Sequence, residues 1–339
     1  MTEADQKTGN IELGAAGPAI HVAPSPHVFS TSLTTRRMML DVLIGLLPVF
    51  GVSLYAFGWF APRQIGICVL SCVVAETVFG AMRGRGPMVV VGDLSAVVTG
   101  VILALSLPWS APWYVAAIGS VTAIGFGKVV FGGLGQNIFN PAMVGRAFIM
   151  ICFAGAMGAG AYVSGEVNAE AAEVISQATP MTVMQKGGSF GVLGLLWGNT
   201  NGSLGEICAI ACLIGGLYLC IRRTAAWQIP AGVLVSVVLI AGMMDLVHPS
   251  NMTVLHHLLG GALLFGAFFI ATDPVTSPLT PRGRWIFGIG VGAVIMLLRT
   301  MSNYPEGVMF AVLLLNAVVP LINRWIVPTP VGGPAGRKK

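Results

Sequence analysis

Seven ionisable residues interrupt stretches of the chain that are otherwise apolar, and these residues are the first candidates for chemistry. A charge among apolar residues is costly unless a partner or water solvates it, so such residues often mark ion pathways, proton relays or binding cavities. Some can instead be solvated where an apolar segment meets water. We expect Asp93, Glu206 and Asp273 to line an internal cavity. The full set is Asp41, Glu76, Asp93, Lys128, Arg146, Glu206 and Asp273.

Two short segments rich in Gly, Asn, Asp and Pro are the second kind of candidate site. Residues 132–141 read GGLGQNIFNP and residues 272–278 read TDPVTSP, and neither can form an uninterrupted helix. Asn140 is suited to cap a helix that begins at Pro141, and Asp273 belongs to the second segment. Backbone amides exposed at such helix starts can receive the edge of a cofactor ring, a phosphate or another anion. The alternative is that both segments are simple turns with caps.

Neither the cysteines nor the histidines form a recognisable metal or catalytic site. None of the six cysteines belongs to a CxxC pair, so the sequence indicates neither a zinc nor an iron–sulfur site, and we expect small apolar packing residues. His256 and His257 are neighbours on an expected helix, where adjacent side chains diverge, so a polar cap is expected rather than joint metal binding. No Ser-His-Asp or paired-carboxylate arrangement is present, and we predict no catalytic acid or base.

The composition indicates the environment in which these residues lie. Of the 339 residues, 55% are hydrophobic and only 9% are charged, whereas an ordinary soluble domain has about 25% charged residues. So few polar residues cannot cover so much apolar surface in water. The charges fall in pairs between apolar runs, so the net charge of +5 does not predict a nucleic-acid partner. We therefore predict an integral membrane protein.

About ten apolar segments approach the roughly 20 residues that a helix needs to cross a bilayer. They lie near residues 38–60, 64–82, 89–108, 112–131, 142–163, 203–221, 227–247, 255–271, 285–299 and 305–327. With the N-terminus in the cytoplasm, alternation leaves only Arg63 and Lys186 outside, with Arg299 at a span end. Both termini are therefore predicted to be cytoplasmic. The cytoplasmic basic residues are then Arg36, Arg37, Arg83, Arg85, Arg222, Arg223, Arg282, Arg284, Arg324, Arg337, Lys338 and Lys339.

The predicted organisation is two sets of five spans on either side of one long external loop. The third and eighth spans share small and leucine positions, and a proline closes each of them, Pro108 and Pro274. Halves with an odd number of spans insert in opposite senses, which is the inverted repeat of many transporters. The predicted parts are a cytoplasmic tail (1–35), a first repeat (36–163), the external loop (164–202), a second repeat (203–327) and a cytoplasmic tail (328–339).

Three stretches carry a resemblance to a known family. They are SPHVFSTSLTTRRMMLDVLIGLLP (25–48), GGLGQNIFNPAMVGRAF (132–148) and EVISQATPMT (173–182). They resemble the D-type membrane component of the Rnf complex, an ion-translocating ferredoxin:NAD oxidoreductase of bacterial membranes. They are less closely similar to the homologous B-type component of the sodium-pumping NADH:quinone reductase, which usually has a longer N-terminal tail. The resemblance runs from Ser25 to Val327 and includes GSLGE (202–206) and ATDPVTSP (271–278).

The resemblance implies a covalent flavin. In that family a flavin transferase joins FMN through its phosphate to a threonine hydroxyl, in an external motif Asp-x-x-Ser/Thr-Gly-Ala-Thr. The matching positions here are Glu173, Ser176, Gln177, Ala178 and Thr179, so Thr179 is the implied acceptor. Glu173 replaces the aspartate and Gln177 replaces the glycine. The acidic residue and the acceptor hydroxyl are both kept.

The resemblance also implies partners and a setting. We expect an electron-carrying flavoprotein of the bacterial inner membrane, coupled to Na⁺ or H⁺ translocation. Its partners would be subunits carrying iron–sulfur clusters and flavin, the flavin transferase and membrane lipid. A second, non-covalent flavin such as riboflavin is compatible with the spans. The expected fold, ten helices in an inverted repeat, is urea-transporter-like, so a small-solute channel and a scaffold that only assembles a complex stay open as alternatives.

Overall fold

The described part of the chain is helical. The computed structural model describes residues 34–84, 92–157, 184, 191–197, 202–247, 252–301 and 307–327. In chain order its helices are α1 (Thr35–Phe57), α2 (Phe60–Met82), α3 (Ser95–Ser106), α4 (Trp113–Ile124), α5 (Pro141–Cys152), α6 (Ala154–Met157), α7 (Val192–Trp197), α8 (Ala209–Ile221), α9 (Gln228–Val247), α10 (Val254–Leu259), α11 (Leu263–Phe265), α12 (Pro281–Met301) and α13 (Val308–Trp325).

Five of these helices are long and apolar enough to cross a membrane, namely α1, α2, α9, α12 and α13. The apolar helices α3, α4, α5 and α8 are shorter. Glycine and proline breaks shorten them, because a helix cannot continue through the segments that follow α4 and precede α5. The prediction of an all-helical, multi-pass membrane protein is confirmed for the residues that the structure describes.

Most described arginines lie at one end of the helix bundle, which we call the arginine end. Contacts between helix termini define it: Arg222, which follows α8, pairs with Asp41 near the start of α1 at 3.2 Å. Trp227 and Trp285, at the starts of α9 and α12, meet edge to face with centroids 5.7 Å apart. The arginine end comprises Arg36, Arg37, Arg83, Arg222, Arg223, Arg282, Arg284 and Arg324.

Glycines allow two helix pairs to approach closely. The antiparallel helices α1 and α8 meet at Gly45 and Gly215, where a Cβ on Gly215 would collide with the carbonyl oxygen of Gly45. The helices α9 and α12 run parallel, and a Cβ on Gly288 would lie 2.5 Å from the carbonyl oxygen of Ile229. Small residues at such crossings are typical of membrane helices, whose association depends on close packing rather than on exclusion of water.

Two π-helical turns precede the two predicted breaks. The first covers Gly125–Val129 at the end of α4, and the second covers Gly266–Ile270 after α11. Each is closed by a bond to the residue five positions earlier. A π turn leaves a carbonyl without its ordinary helical partner and often lies at a functional site. Both breaks occur where the sequence predicts them, and each is followed by a helix that begins with proline, Pro141 or Pro281.

Candidate functional site

A cavity at the arginine end brings the two predicted breaks together. Its wall includes Asn140 and Pro141 from the first break and Asp273 from the second. Helices α1, α3 and α8 and both π turns complete the wall. Three of the predicted site residues, far apart in the chain, therefore surround one space.

Asn140 connects the two breaks. Its Oδ1 accepts a hydrogen bond from the backbone amide of Met143 at 3.3 Å, which makes it the predicted N-cap of α5. Its Nδ2 donates to the carbonyl oxygen of Ile270 at 3.3 Å. Ile270 is the last residue of the second π turn. One buried amide thus satisfies a donor at the start of α5 and an acceptor on the other wall of the cavity.

Asp273 is held by its own turn and, indirectly, by α13. Its Oδ1 accepts from the amide of Val275 at 3.2 Å, and its Oδ2 accepts from the hydroxyl of Thr276 at 3.1 Å. The carbonyl of Thr276 accepts from Nδ2 of Asn316, a fully buried residue of α13, at 2.9 Å. These hydrogen bonds fix the orientation of the Asp273 carboxylate, which is half-buried and lines the cavity.

A buried ammonium group lies on the same wall. Lys128, in the first π turn, has 2% of its surface exposed and donates to the carboxylate of Glu76 and, at 2.5 Å, to the hydroxyl of Ser95. The Ser95 hydroxyl donates in turn to Asp93 at 2.6 Å. Lys128 and Ser95 both line the cavity. A charge at this depth persists only when it is paired and hydrogen-bonded.

The expectation of cavity-lining carboxylates is met in different degrees. Asp273 lines the cavity, and Asp93 contacts Ser95, which lines it. Glu206 is not among the lining residues of this cavity; it is buried beside Arg146, with the charged atoms 3.7 Å apart. Glu206 lies three residues after Ser203, whose backbone pairs with Pro108 just beyond the end of α3.

His256 has the capping role predicted for the histidine pair. Its Nδ1 lies 3.2 Å from the amide and 2.8 Å from the hydroxyl of Thr253, the N-cap of α10. His257 is also buried. Among the residues that the structure describes, no group of three His, Cys, Asp or Glu side chains could hold a metal ion.

Asn137 is a cavity residue of the first break that the sequence analysis did not single out. It is buried, and its Nδ2 donates to the carbonyl of Phe139 at 3.1 Å. Its Oδ1 has no hydrogen-bond partner within the described part of the chain, although this atom is buried. An orphaned acceptor beside a cavity is available to a ligand donor. The spacing Asn-x-x-Asn-Pro over 137–141 could have indicated it.

The implied attachment segment lies outside the described residues. This applies to Glu173, Ser176, Gln177, Ala178 and Thr179. The described residues on both sides of that loop are far from the arginine end. Phe153, just after α5, contacts the ring of Tyr114 at the start of α4, and Ser203 pairs with Pro108.

Comparison with known proteins identifies the family. A sequence model described as the NQR2, RnfD, RnfE family matches residues 21–332. The chain is 38% identical over 309 residues to the D component of the Na(+)-translocating ferredoxin:NAD(+) oxidoreductase complex of Acetobacterium woodii, covering 90% of this chain and 92% of the relative. It is 40% identical over 325 residues to the D component of the ion-translocating oxidoreductase complex of Stutzerimonas stutzeri, covering 87% and 92%. The chain belongs to the NQR2, RnfD, RnfE family.

Proposed function

We propose that this chain is the membrane flavoprotein subunit of an Rnf-type ion-translocating oxidoreductase complex. FMN would be joined through its phosphate to the hydroxyl of Thr179. The observation that carries the proposal is the segment from Glu173 to Thr179, which keeps an acidic residue and the acceptor threonine of the family motif. It lies in a loop whose described flanks are far from the arginine end.

In this proposal the protein positions the flavin and supplies no catalytic acid or base. A flavin accepts one or two electrons, so it can connect one-electron iron–sulfur carriers with other flavins. A covalent tether keeps the carrier at a high local concentration, whatever its free affinity. The neighbouring subunits would supply the iron–sulfur clusters and further flavins, and electron transfer through the complex would be coupled to movement of Na⁺ or H⁺.

In this proposal the cavity at the arginine end would hold a second, non-covalent flavin such as riboflavin. Asn137 presents a buried acceptor without a partner among the described residues, which suits a ring N–H donor. Val42, Leu219 and Phe269 supply apolar wall for a planar ring, and Lys128 places an ammonium beside it. A mainly apolar cavity with a few convergent polar groups is typical of cofactor sites.

We further propose an inverted five-helix repeat with a urea-transporter-like fold and a cytoplasmic arginine end. The parallel pair α9 and α12 starts at the arginine end. The pair α2 and α4 is also parallel, with the thiol of Cys72 3.8 Å from the carbonyl oxygen of Ser120, but it runs the other way. The segments PWSAP (108–112) and PVTSP (274–278) also lie at opposite ends. The excess of arginine supports the orientation.

The test is in-gel flavin fluorescence of the denatured chain, co-expressed with a flavin transferase. Wild type is compared with Thr179→Val and with Thr182→Val, a matched loss of a hydroxyl three residues away. We expect fluorescence in wild type and Thr182→Val and none in Thr179→Val. A dark wild-type band, with the transferase active on another substrate, would refute the covalent flavin and favour a channel, which solute flux into liposomes would then detect.

The scaffold alternative is tested on the assembled complex. If Thr179→Val leaves electron transfer from ferredoxin or NADH unchanged, the chain serves assembly only. The subunits that co-purify distinguish the ferredoxin-dependent complex from the NADH:quinone reductase, since only the former would bring a ferredoxin-reactive iron–sulfur partner.

A further inference from the structure

Helix α1 has three distinct sides near the arginine end. Met38, Met39 and Val42 line the cavity, whereas Asp41 and Gly45 face α8. At about 100° per residue, the side beyond the α8-facing edge is away from the cavity. That side carries large apolar residues that are 42% to 59% exposed: Leu40, Ile44 and Leu47.

Helix α8 repeats this arrangement in the opposite direction. Leu219 lines the cavity, and Gly215 and Arg222 face α1. Its exposed apolar residues are Ile214, Leu217 and Ile221. Because both helices turn their cavity-lining residues to the same side, their exposed residues share the other side. We call this exposed apolar surface, formed by Leu40, Ile44, Leu47, Ile214, Leu217 and Ile221, the outer furrow.

A group of arginines stands at the end of the outer furrow. Arg36 precedes Leu40 by one turn of α1, and Arg222 and Arg223 directly follow Ile221. With Arg37 they form what we call the basic corner. Arg222 pairs with Asp41, and Arg36 and Arg223 bring two further positive charges to the same place.

Arg222 is oriented before any ligand arrives. Its Nε and Nη2 donate to Oδ1 of Asp41 at 3.3 and 3.2 Å, while 39% of its side chain is exposed. Asp41 thus holds the guanidinium from the buried side, and the N–H bonds of Nη1 point away from this pairing. A planar guanidinium fixed in this way loses little freedom when it binds a phosphate.

We propose that the basic corner and the outer furrow bind one anionic phospholipid. The headgroup phosphate would accept hydrogen bonds from Arg222, with Arg36 and Arg223 supplying further positive charge. An acyl chain would lie in the outer furrow along α1 and α8. Basic pockets between membrane helices are suited to anionic headgroups. The proposal needs only α1, α8 and the arginines beside them, and it does not depend on any flavin.

The site would stabilise the contact between α1 and α8. Asp41 also accepts from the hydroxyl of Thr224 at 2.9 Å, and Thr224 lines the cavity. A lipid phosphate on Arg222 therefore engages a guanidinium whose other edge holds the cavity wall. The Asp41 carboxylate therefore connects Arg222, which would bind the lipid, with Thr224 in the cavity wall.

The test uses the full-length chain, purified in detergent with the subunits that accompany it. Phosphatidylglycerol or phosphatidylcholine is titrated, and bound lipid is counted by native mass spectrometry. We expect one tightly bound phosphatidylglycerol in wild type and preference for it over phosphatidylcholine. In Arg36→Gln/Arg223→Gln the affinity should fall about 25-fold, since each basic residue contributes about fivefold. The matched variant Arg282→Gln/Arg324→Gln removes two arginines from the same end and should bind as wild type does.

Three results would overturn the proposal. Equal loss of affinity in both double variants would mean a general attraction to surface charge. Unchanged binding in Arg36→Gln/Arg223→Gln would place the lipid elsewhere. Binding of water-soluble glycerophosphoglycerol as tight as that of the full lipid would show a phosphate site without a role for the outer furrow. Retained elution volume on gel filtration verifies that both variants are folded.

Discussion

The buried pair of Lys128 and Glu76 gives the most direct test of how the cavity wall is stabilised. Their side chains are 2% and 7% exposed, so solvent screens their interaction little. Replacing Lys128 with methionine leaves the Glu76 carboxylate buried and deprives Ser95 of its donor. Breaking one partner of such a pair costs about 3–5 kcal/mol. The variant Lys128→Met should lose about that much unfolding free energy.

The loss of stability arises from the Glu76 charge left without a partner rather than from the lost attraction between Lys128 and Glu76. A second variant distinguishes these two causes. In Lys128→Met/Glu76→Leu both charges of the pair are removed, and apolar replacement of a buried pair is often neutral or stabilising by about 1–4 kcal/mol. We expect the double variant to recover most of the stability. Reversible unfolding in detergent with increasing dodecyl sulfate measures both. If the double variant is as unstable as Lys128→Met, the orphaned-charge explanation is wrong.

Two further predictions follow from the packing and from the second break. Gly215→Val should lower the unfolding free energy by about 1–3 kcal/mol or prevent folding, because the side chain collides with Gly45. The control is Gly51→Val, where a Cβ meets nothing within 4 Å, and it should change the unfolding free energy by less than about 0.5 kcal/mol. Equal losses in the two variants would contradict the crossing geometry of α1 and α8. Asn316→Leu removes the donor to the Thr276 carbonyl, so it should cost about 1–3 kcal/mol and reduce the flavin extracted from the native protein by acid. Its covalent, gel-resistant flavin should be unchanged, and loss of both flavins would indicate general misfolding instead.

The sequence alone determined the class of the protein and its local interruptions. A chain with so few charges requires a bilayer as solvent, so the membrane setting follows from composition. The cap of α5 was also readable, because the bond from Asn140 to the amide of Met143 joins residues three positions apart. Proline at position 141 restricts the backbone locally. Interactions within one helical turn depend on neighbours that the sequence displays directly.

Only the tertiary structure decided which polar residues meet. Lys128 and Glu76 are 52 positions apart, and Asn140 reaches Ile270 across 130 positions; no local pattern encodes either pairing. Glu206 lies beside Arg146, a partner from the first half of the chain that no local pattern indicates. A run of apolar residues indicates that a helix is surrounded by lipid or protein. It does not indicate which side of that helix packs against which neighbouring helix. That choice depends on glycine crossings such as Gly45 with Gly215, where shape complementarity between distant segments selects one arrangement.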